Sequence, residues 1–486
     1  MKRLLLPILL IAVFSASAQV KEKKIRKYAS GIKAKELKEK LSVIASAEME
    51  GRQTASFGQK RAAAYIENKF RELGLLPGNG NSYQQVFKVY QDTLLSYSIT
   101  TNGNTLAANK EFTFSAAAVP NGNFKIENIY FTGTGALDTT NLPVEGKWVV
   151  IEEGNFFTLR QKLAILERRK VRGIISVSKN FPRRTPIAPK SGLYKNADDD
   201  IPYLTVSYDA IGQILNKGKL DSASFVALAK QDYPVNTSIA IAKQRLVLES
   251  SNVLGLLPGT DKKDEYVFIT AHYDHLGKRD SIIYYGADDD GSGTTGVIEI
   301  AESFAKAKKA GNGPRRSIVF MTVSGEENGL WGSEYYAENP IYPLDKTSVD
   351  LNIDMIGRID PKYKADSLNY VFVIGDDKLS SDLKPITDYV NNKYMNMELD
   401  RRYNDVSDPN RFYYRSDHYN FAKKGVPIIF YFNGTHADYH RPTDTVDKIN
   451  FPLMEKRTKL VFYTAWEIAN KDDMLKRDIP LNVPPR

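Results

Sequence analysis

The residues able to do chemistry in this sequence are gathered into five short clusters between positions 271 and 440. They read Ala271-His-Tyr-Asp-His-Leu-Gly277, Gly286-Ala-Asp-Asp-Asp-Gly-Ser-Gly293, Ser324-Gly-Glu-Glu-Asn328, Asn352-Ile-Asp-Met355 and His436-Ala-Asp-Tyr-His440. The chain has only 5 histidines, and all of them fall in this stretch. It has no cysteine, which excludes disulfides, thiolate nucleophiles, zinc fingers and iron–sulfur ligation. Any metal site must therefore be made of imidazole and carboxylate. So many acids brought together would repel one another unless cations neutralised them, which points to divalent metal. The imidazoles favour zinc or a transition metal over calcium, although an aspartate triplet alone would also suit calcium.

These clusters need elements to hold them. Tyr266–Ala271, Ser317–Val323, Val349–Ile353, Tyr370–Ile374 and Val426–Phe432 are mostly apolar runs without alternation, the pattern of strands covered on both faces. Amphipathic stretches at Thr294–Lys309, Trp331–Glu338 and Leu383–Tyr394 separate them, and a last helix is expected over Pro452–Asn470. The expectation is an α/β fold with a mainly parallel, mixed sheet and helices on both faces. Four of the five clusters then fall at or just past the C-terminal end of a strand, where open α/β sheets place their ligand sites. Residues 30–75 read as helices around the turn Glu50-Gly-Arg-Gln-Thr54, and residues 82–245 as a mostly β module with one helix near Thr158–Arg169.

Gly291-Ser-Gly-Thr-Thr-Gly296 matches the dinucleotide fingerprint literally, but three aspartates stand just before it, where a pyrophosphate would be repelled. Those glycines are better read as the turn into the following helix. The net charge of +9 permits nucleic-acid contact, yet Lys and Arg are interspersed with acids and no aromatic-basic motif occurs. Nucleic acid is not an expected partner. Met1-Lys-Arg3, the apolar run Leu4–Phe14 and Ala16-Ser-Ala18 have the order of a cleavable export signal. That run is about half of the roughly 20 residues a spanning helix needs, so no stable membrane insertion is expected. A secreted or periplasmic protein is the reading, without a lipid-bearing cysteine.

The five clusters, in this order, resemble the secreted di-zinc aminopeptidase family of zinc exopeptidases, whose relatives include glutamate carboxypeptidase and the transferrin receptor. Glu50-Gly-Arg52 looks like the family's N-terminal lead-in, and Val144–Val150 with Val171–Val177 looks like an inserted protease-associated domain. The resemblance implies a signal peptide at 1–18, catalytic-domain segments at 19–100 and 232–486, and the insert at 101–231. It implies two zinc ions per chain. His272 and Asp354 would hold one, His440 and Glu327 the other, and Asp289 would bridge them, a choice within the triplet that the spacing alone leaves open.

Glu326 would be the general base for a metal-activated water, Asp274 would orient the His272 ring, and Tyr439 would stand near the oxyanion. Ordinary wall packing is the alternative for Tyr439 in a chain with 28 tyrosines. His275, His418 and His436 are expected in supporting roles only. The implied activity is release of N-terminal residues from peptides. Two alternatives stand beside it: a carboxypeptidase using Arg401, Arg402, Arg411 or Arg415 for a terminal carboxylate, and a non-catalytic receptor on the same scaffold.

Overall fold

The computed structural model describes residues 22–114, 119–137, 141–183, 190–194 and 201–482. The export signal expected over 1–18 lies outside the described residues. The chain divides into two compact units, one of Met1–Phe87 with Glu249–Arg486 and one of Lys88–Leu248. Among the described residues no helix is long and apolar enough to cross a membrane.

The first unit is built on a mixed sheet. Its central strands Arg316–Val323, Lys262–His272, Thr347–Ile353 and Ile428–Phe432 are mutually parallel neighbours in that order. Tyr370–Ile374 pairs antiparallel with the last of them and parallel with Glu398–Asp400. On the other side, Val253–Leu257 runs antiparallel to Ile318–Thr322. The apolar runs seen in the sequence are these strands, and they lack alternation because both faces are covered. Val267, Ile269, Leu351, Ile318 and Phe320 share one apolar cluster with Val297 and Phe304 of helix Gly293–Lys309 and with Val461 and Ala465 of helix Phe451–Asn470. Phe268, Val319, Met321 and Phe430 share the other with Tyr336 and Phe421, from the short helices Trp331–Glu338 and His418–Ala422. Each such fully buried side chain contributes roughly 1.5–3 kcal/mol.

The second unit holds a further set of strands. Gly122–Phe131, Trp148–Glu152, Gly173–Val177 and Tyr203–Val206 are parallel in sequence, with Phe112–Phe114 antiparallel at one end. Asp232–Ile241 pairs antiparallel with Gly122–Tyr130 at the other. The expected helix is present as Phe156–Arg168. Two short ones, Tyr208–Ile214 and Ser222–Val226, were not legible because each is only one or two turns long and starts from a side-chain cap. Buried Asp92 accepts from Lys243 Nζ at 2.9 Å and Arg245 Nε at 2.7 Å.

One buried cation organises the active end of the first sheet. Arg52 is fully buried and donates to the main-chain oxygens of Tyr273, Ile44, Tyr285 and Gly286 at 2.7–2.9 Å. Burial pushes its pKa down to about 10, with Asp274 and Asp289 opposing, so it stays charged at neutral pH. It thereby ties the residue after His272 to the loop that leads into the aspartate triplet. Gly51, beside it, has φ +68°, and a Cβ there would overlap the carbonyl oxygens of Gly277 and Tyr284. Arg52→Ala should remove four hydrogen bonds to main-chain carbonyls and lower unfolding stability by on the order of 3–5 kcal/mol, measurable as a lower urea midpoint.

Candidate metal centre

His272 is the last residue of its strand, and Asp354 directly follows the strand Thr347–Ile353. Glu326 and Glu327 lie just past Arg316–Val323, and Tyr439 and His440 lie in the loop beyond Ile428–Phe432. The sheet therefore delivers its chemistry at its C-terminal edge, as an open α/β sheet does.

The aspartate triplet divides by role. Asp290 takes the Gly293 and Met355 amides on Oδ1 at 2.8 and 2.9 Å and the His272 amide on Oδ2 at 3.2 Å. Asp288 takes the Gly357 amide at 2.6 Å and faces His436 Nε2 at 3.1 Å. Both are spent on holding neighbouring segments. Asp289 is left to face the histidines, while its amide and that of Asp288 donate to buried Asp444 at 3.1 and 3.0 Å. The peptide bond between Asp289 and Asp290 is cis.

Asp289 faces two groups at once. Its Oδ1 lies 3.2 Å from His272 Nε2, which is also 3.6 Å from Asp354 Oδ1. Its Oδ2 lies 3.1 Å from His440 Nε2, which is 3.1 Å from Glu327 Oε2. His275 Nδ1 joins this second group at 2.6 Å from Glu327 Oε1 and 3.9 Å from Asp289 Oδ2. His272 Nε2, His275 Nδ1, Asp289 Oδ2 and Glu327 Oε1 are buried, yet none has a hydrogen-bond partner. Buried polar atoms are almost always satisfied, so four orphans aimed at one another need another explanation. Two ligands bound to one zinc at about 2 Å in tetrahedral geometry lie roughly 3.3 Å apart, close to most of these separations. The donor set, imidazole and carboxylate only, fits zinc.

Electrostatics separates the acids. Burial alone would raise Asp289, but His272 and His440 hold it well below the usual carboxylate range. Burial raises Glu326 well above that range; His272 opposes, and the Glu327 and Asp354 charges add to the rise. For His440, burial works against the charge, but Asp289 and Glu327 raise its pKa to about 10. Glu326 Oε2 stands 3.9 Å from His272 Nε2 and lines a small pocket with Asp289, Asp354, Tyr439, Arg415 and Phe412.

Some expectations about individual residues are refined by this geometry. Asp274 faces the His272 ring, with its main-chain oxygen 3.1 Å and its carboxylate 3.7 Å from Nδ1. That carboxylate accepts from Thr54 Oγ1 at 2.7 Å and the Glu326 amide at 3.3 Å, anchoring the loop that carries Glu326. His418 joins neither group: it packs on Phe430 and faces the Tyr413 carbonyl at 2.8 Å, and burial lowers its pKa to about 3. His275 is the residue that sequence reasoning set aside. Its spacing from His272 was visible, but nothing in the sequence shows that the turn after the strand folds its ring back toward Glu327.

Residues 252–465 match the model of Peptidase family M28. That stretch of the first unit is similar to peptidase family M28. A probable leucine aminopeptidase of Arthroderma otae is 28% identical over 225 residues, 45% of this chain and 57% of that protein. A probable glutamate carboxypeptidase of Arthroderma benhamiae is 39% identical over 105 residues, 21% of this chain and 14% of that protein. The chain thus spans little more than half the length of the curated leucine aminopeptidases it matches. The structure of an aminopeptidase from Aneurinibacillus sp. strain AM-1 superposes with a TM-score of 0.55 at 18% identity, covering 95% of this chain and 100% of that one. A zinc aminopeptidase from Bacillus subtilis gives 0.50 at 19% identity, covering 92% and 99%. These likenesses show a common fold.

Because the first unit buries unsatisfied ligand atoms, it should be stabilised by metal. Zinc at about 100 times its dissociation constant should add roughly 2.7 kcal/mol per site, read as a higher thermal midpoint that a chelator reverses.

Proposed function

We propose that this protein is a di-zinc exopeptidase, acting outside the cytoplasm, that removes N-terminal residues from peptides. The observation that carries this reading is that Asp289 turns one oxygen to each of two imidazole–carboxylate groups while Glu326 belongs to neither. Two positions sharing one carboxylate, with a further carboxylate alongside, form the pattern expected for metal-assisted hydrolysis. Held by His272, Asp354, Asp289, Glu327 and His440, zinc would supply Lewis acidity and make water acidic enough to deprotonate near neutral pH. The names of the leucine aminopeptidase relatives and the family match support a peptide substrate.

The protein's own groups then have distinct tasks. Glu326, with its raised pKa, suits a group that takes a proton from water and returns it to the leaving amine. The Tyr439 phenol accepts from Arg415 Nη2 at 3.2 Å, and burial with the Asp289 charge keeps its pKa high. It therefore retains its proton to donate to a developing oxyanion. Its ring stacks on that of His440, with centroids 3.8 Å apart, which sets the phenol's direction. The second unit, read as an inserted protease-associated domain, has no histidine and takes no part in this chemistry.

The carboxypeptidase alternative needs a free cation near the pocket. Arg401 is bound to Asp376 and Asp388, and Arg402 to Asp400. Arg415 does line the pocket, beside three carboxylates that favour an ammonium over a carboxylate. Acetylating the N-terminus of a test peptide should abolish its cleavage; C-terminal release from the blocked peptide would overturn the aminopeptidase reading. On aminoacyl-nitroanilides, Glu326→Gln should lower kcat by about 10²–10⁴-fold. Tyr439→Phe should cost about 2.7–4 kcal/mol in kcat with little change in KM, measured under the same conditions.

A further inference from the structure

We propose that His275 is a fourth protein ligand at the second metal position, which makes the two positions unequal. The inference rests on the two-metal reading above. His275 is 1% exposed, and its Nδ1 is 2.6 Å from Glu327 Oε1 without forming a hydrogen bond in acceptable geometry. Neither ring nitrogen has a hydrogen-bond partner. A core histidine kept for packing would be expected to satisfy at least one of them.

The surroundings are shaped to hold this ring in place. The His275 amide donates to the Arg52 carbonyl at 3.2 Å, which fixes the main chain. Gly286 has φ +55°, and a Cβ there would overlap the His275 ring, so the glycine makes room for it. His440 approaches Glu327 from the other side, with ring centroids of the two histidines 6.0 Å apart. The two Glu327 oxygens and Asp289 Oδ2 lie between them.

The count of ligands then differs between positions. The first has His272 Nε2, Asp289 Oδ1 and Asp354 Oδ1, three protein ligands with Glu326 beside them. The second has His275, His440, Glu327 and Asp289 Oδ2, four protein ligands. Zinc sites with three protein ligands keep an open place for water or substrate, whereas sites with four are closed and structural. The first position is therefore the open one, and the second is the tighter anchor.

The test is a zinc titration of the metal-free full chain against a chromophoric chelator, with the metal counted by elemental mass spectrometry. The wild type should bind two ions with distinct constants. His275→Gln fills the same space with a poorer ligand and should weaken the tighter constant by about 100-fold or more, since losing even an outer partner costs 10–100-fold. The weaker constant should stay within about threefold. His275→Asp, which offers a carboxylate in place of the imidazole, should recover part of the loss and carries the test if the glutamine variant misfolds by circular dichroism. Wild-type constants in a folded variant, or equal weakening of both, would overturn the inference. A wild type that takes up one ion at saturation would instead refute the two-metal reading.

Discussion

Carboxylates and imidazoles buried together at one end of a sheet are unstable company unless something positive stands among them. Asp288, Asp289, Asp290, Asp354 and Asp444 are all buried within a few residues of His272 or of one another, with Glu326 and Glu327 at the edge. Protein cations supply little relief: Arg52 reaches main-chain oxygens and lends only its charge from a distance. The remaining imbalance falls on the histidines, and several ligand-capable atoms are left without partners. Placing divalent cations between them resolves the repulsion and the missing bonds together. The rest of this unit can be understood as what keeps those groups close enough for that to happen.

Three devices do so. The parallel strands end together, so residues far apart in sequence meet at one edge. Asp290 joins the end of the His272 strand, the start of helix Gly293–Lys309 and the residue after Asp354 with three hydrogen bonds. Asp288 and Asp444 brace the same turn from the far side. Each bond is worth only about 1–3 kcal/mol when made to a charged group, but together they fix one Asp289 orientation. The cluster's charge is thus divided: Asp288 and Asp290 hold neighbouring segments, and Asp289 faces the imidazoles of His272 and His440.

The chain's second unit shows the opposite economy. Its buried acid, Asp92, is matched by Lys243 and Arg245, and among the described residues the histidine–carboxylate groupings suited to a metal lie outside it. Ion pairing completes its electrostatics, whereas the first unit's remains incomplete without a ligand. That contrast separates a module held by its own contacts from one arranged around something it must bind.

Much of this was legible in the residues. Runs such as Ser317–Val323 and Tyr370–Ile374 could be read as buried strands, because strands covered on both faces need apolar side chains at every position. The helix over Trp331–Glu338 and the strand-end placement of the clusters followed from the same periodicities. The absence of cysteine settled that any metal must be held by imidazole and carboxylate. Sequence spacing could not choose among Asp288, Asp289 and Asp290, since three adjacent acids look alike until the main chain turns each a different way. Nor could it place His275, whose ring joins Glu327 only when two strand ends meet and Gly286 leaves it room. Composition and pattern therefore determined the kinds of ligand and the fold that carries them. Which atoms face one another was decided by the tertiary structure, because direction at a strand's end depends on hydrogen bonds from distant segments.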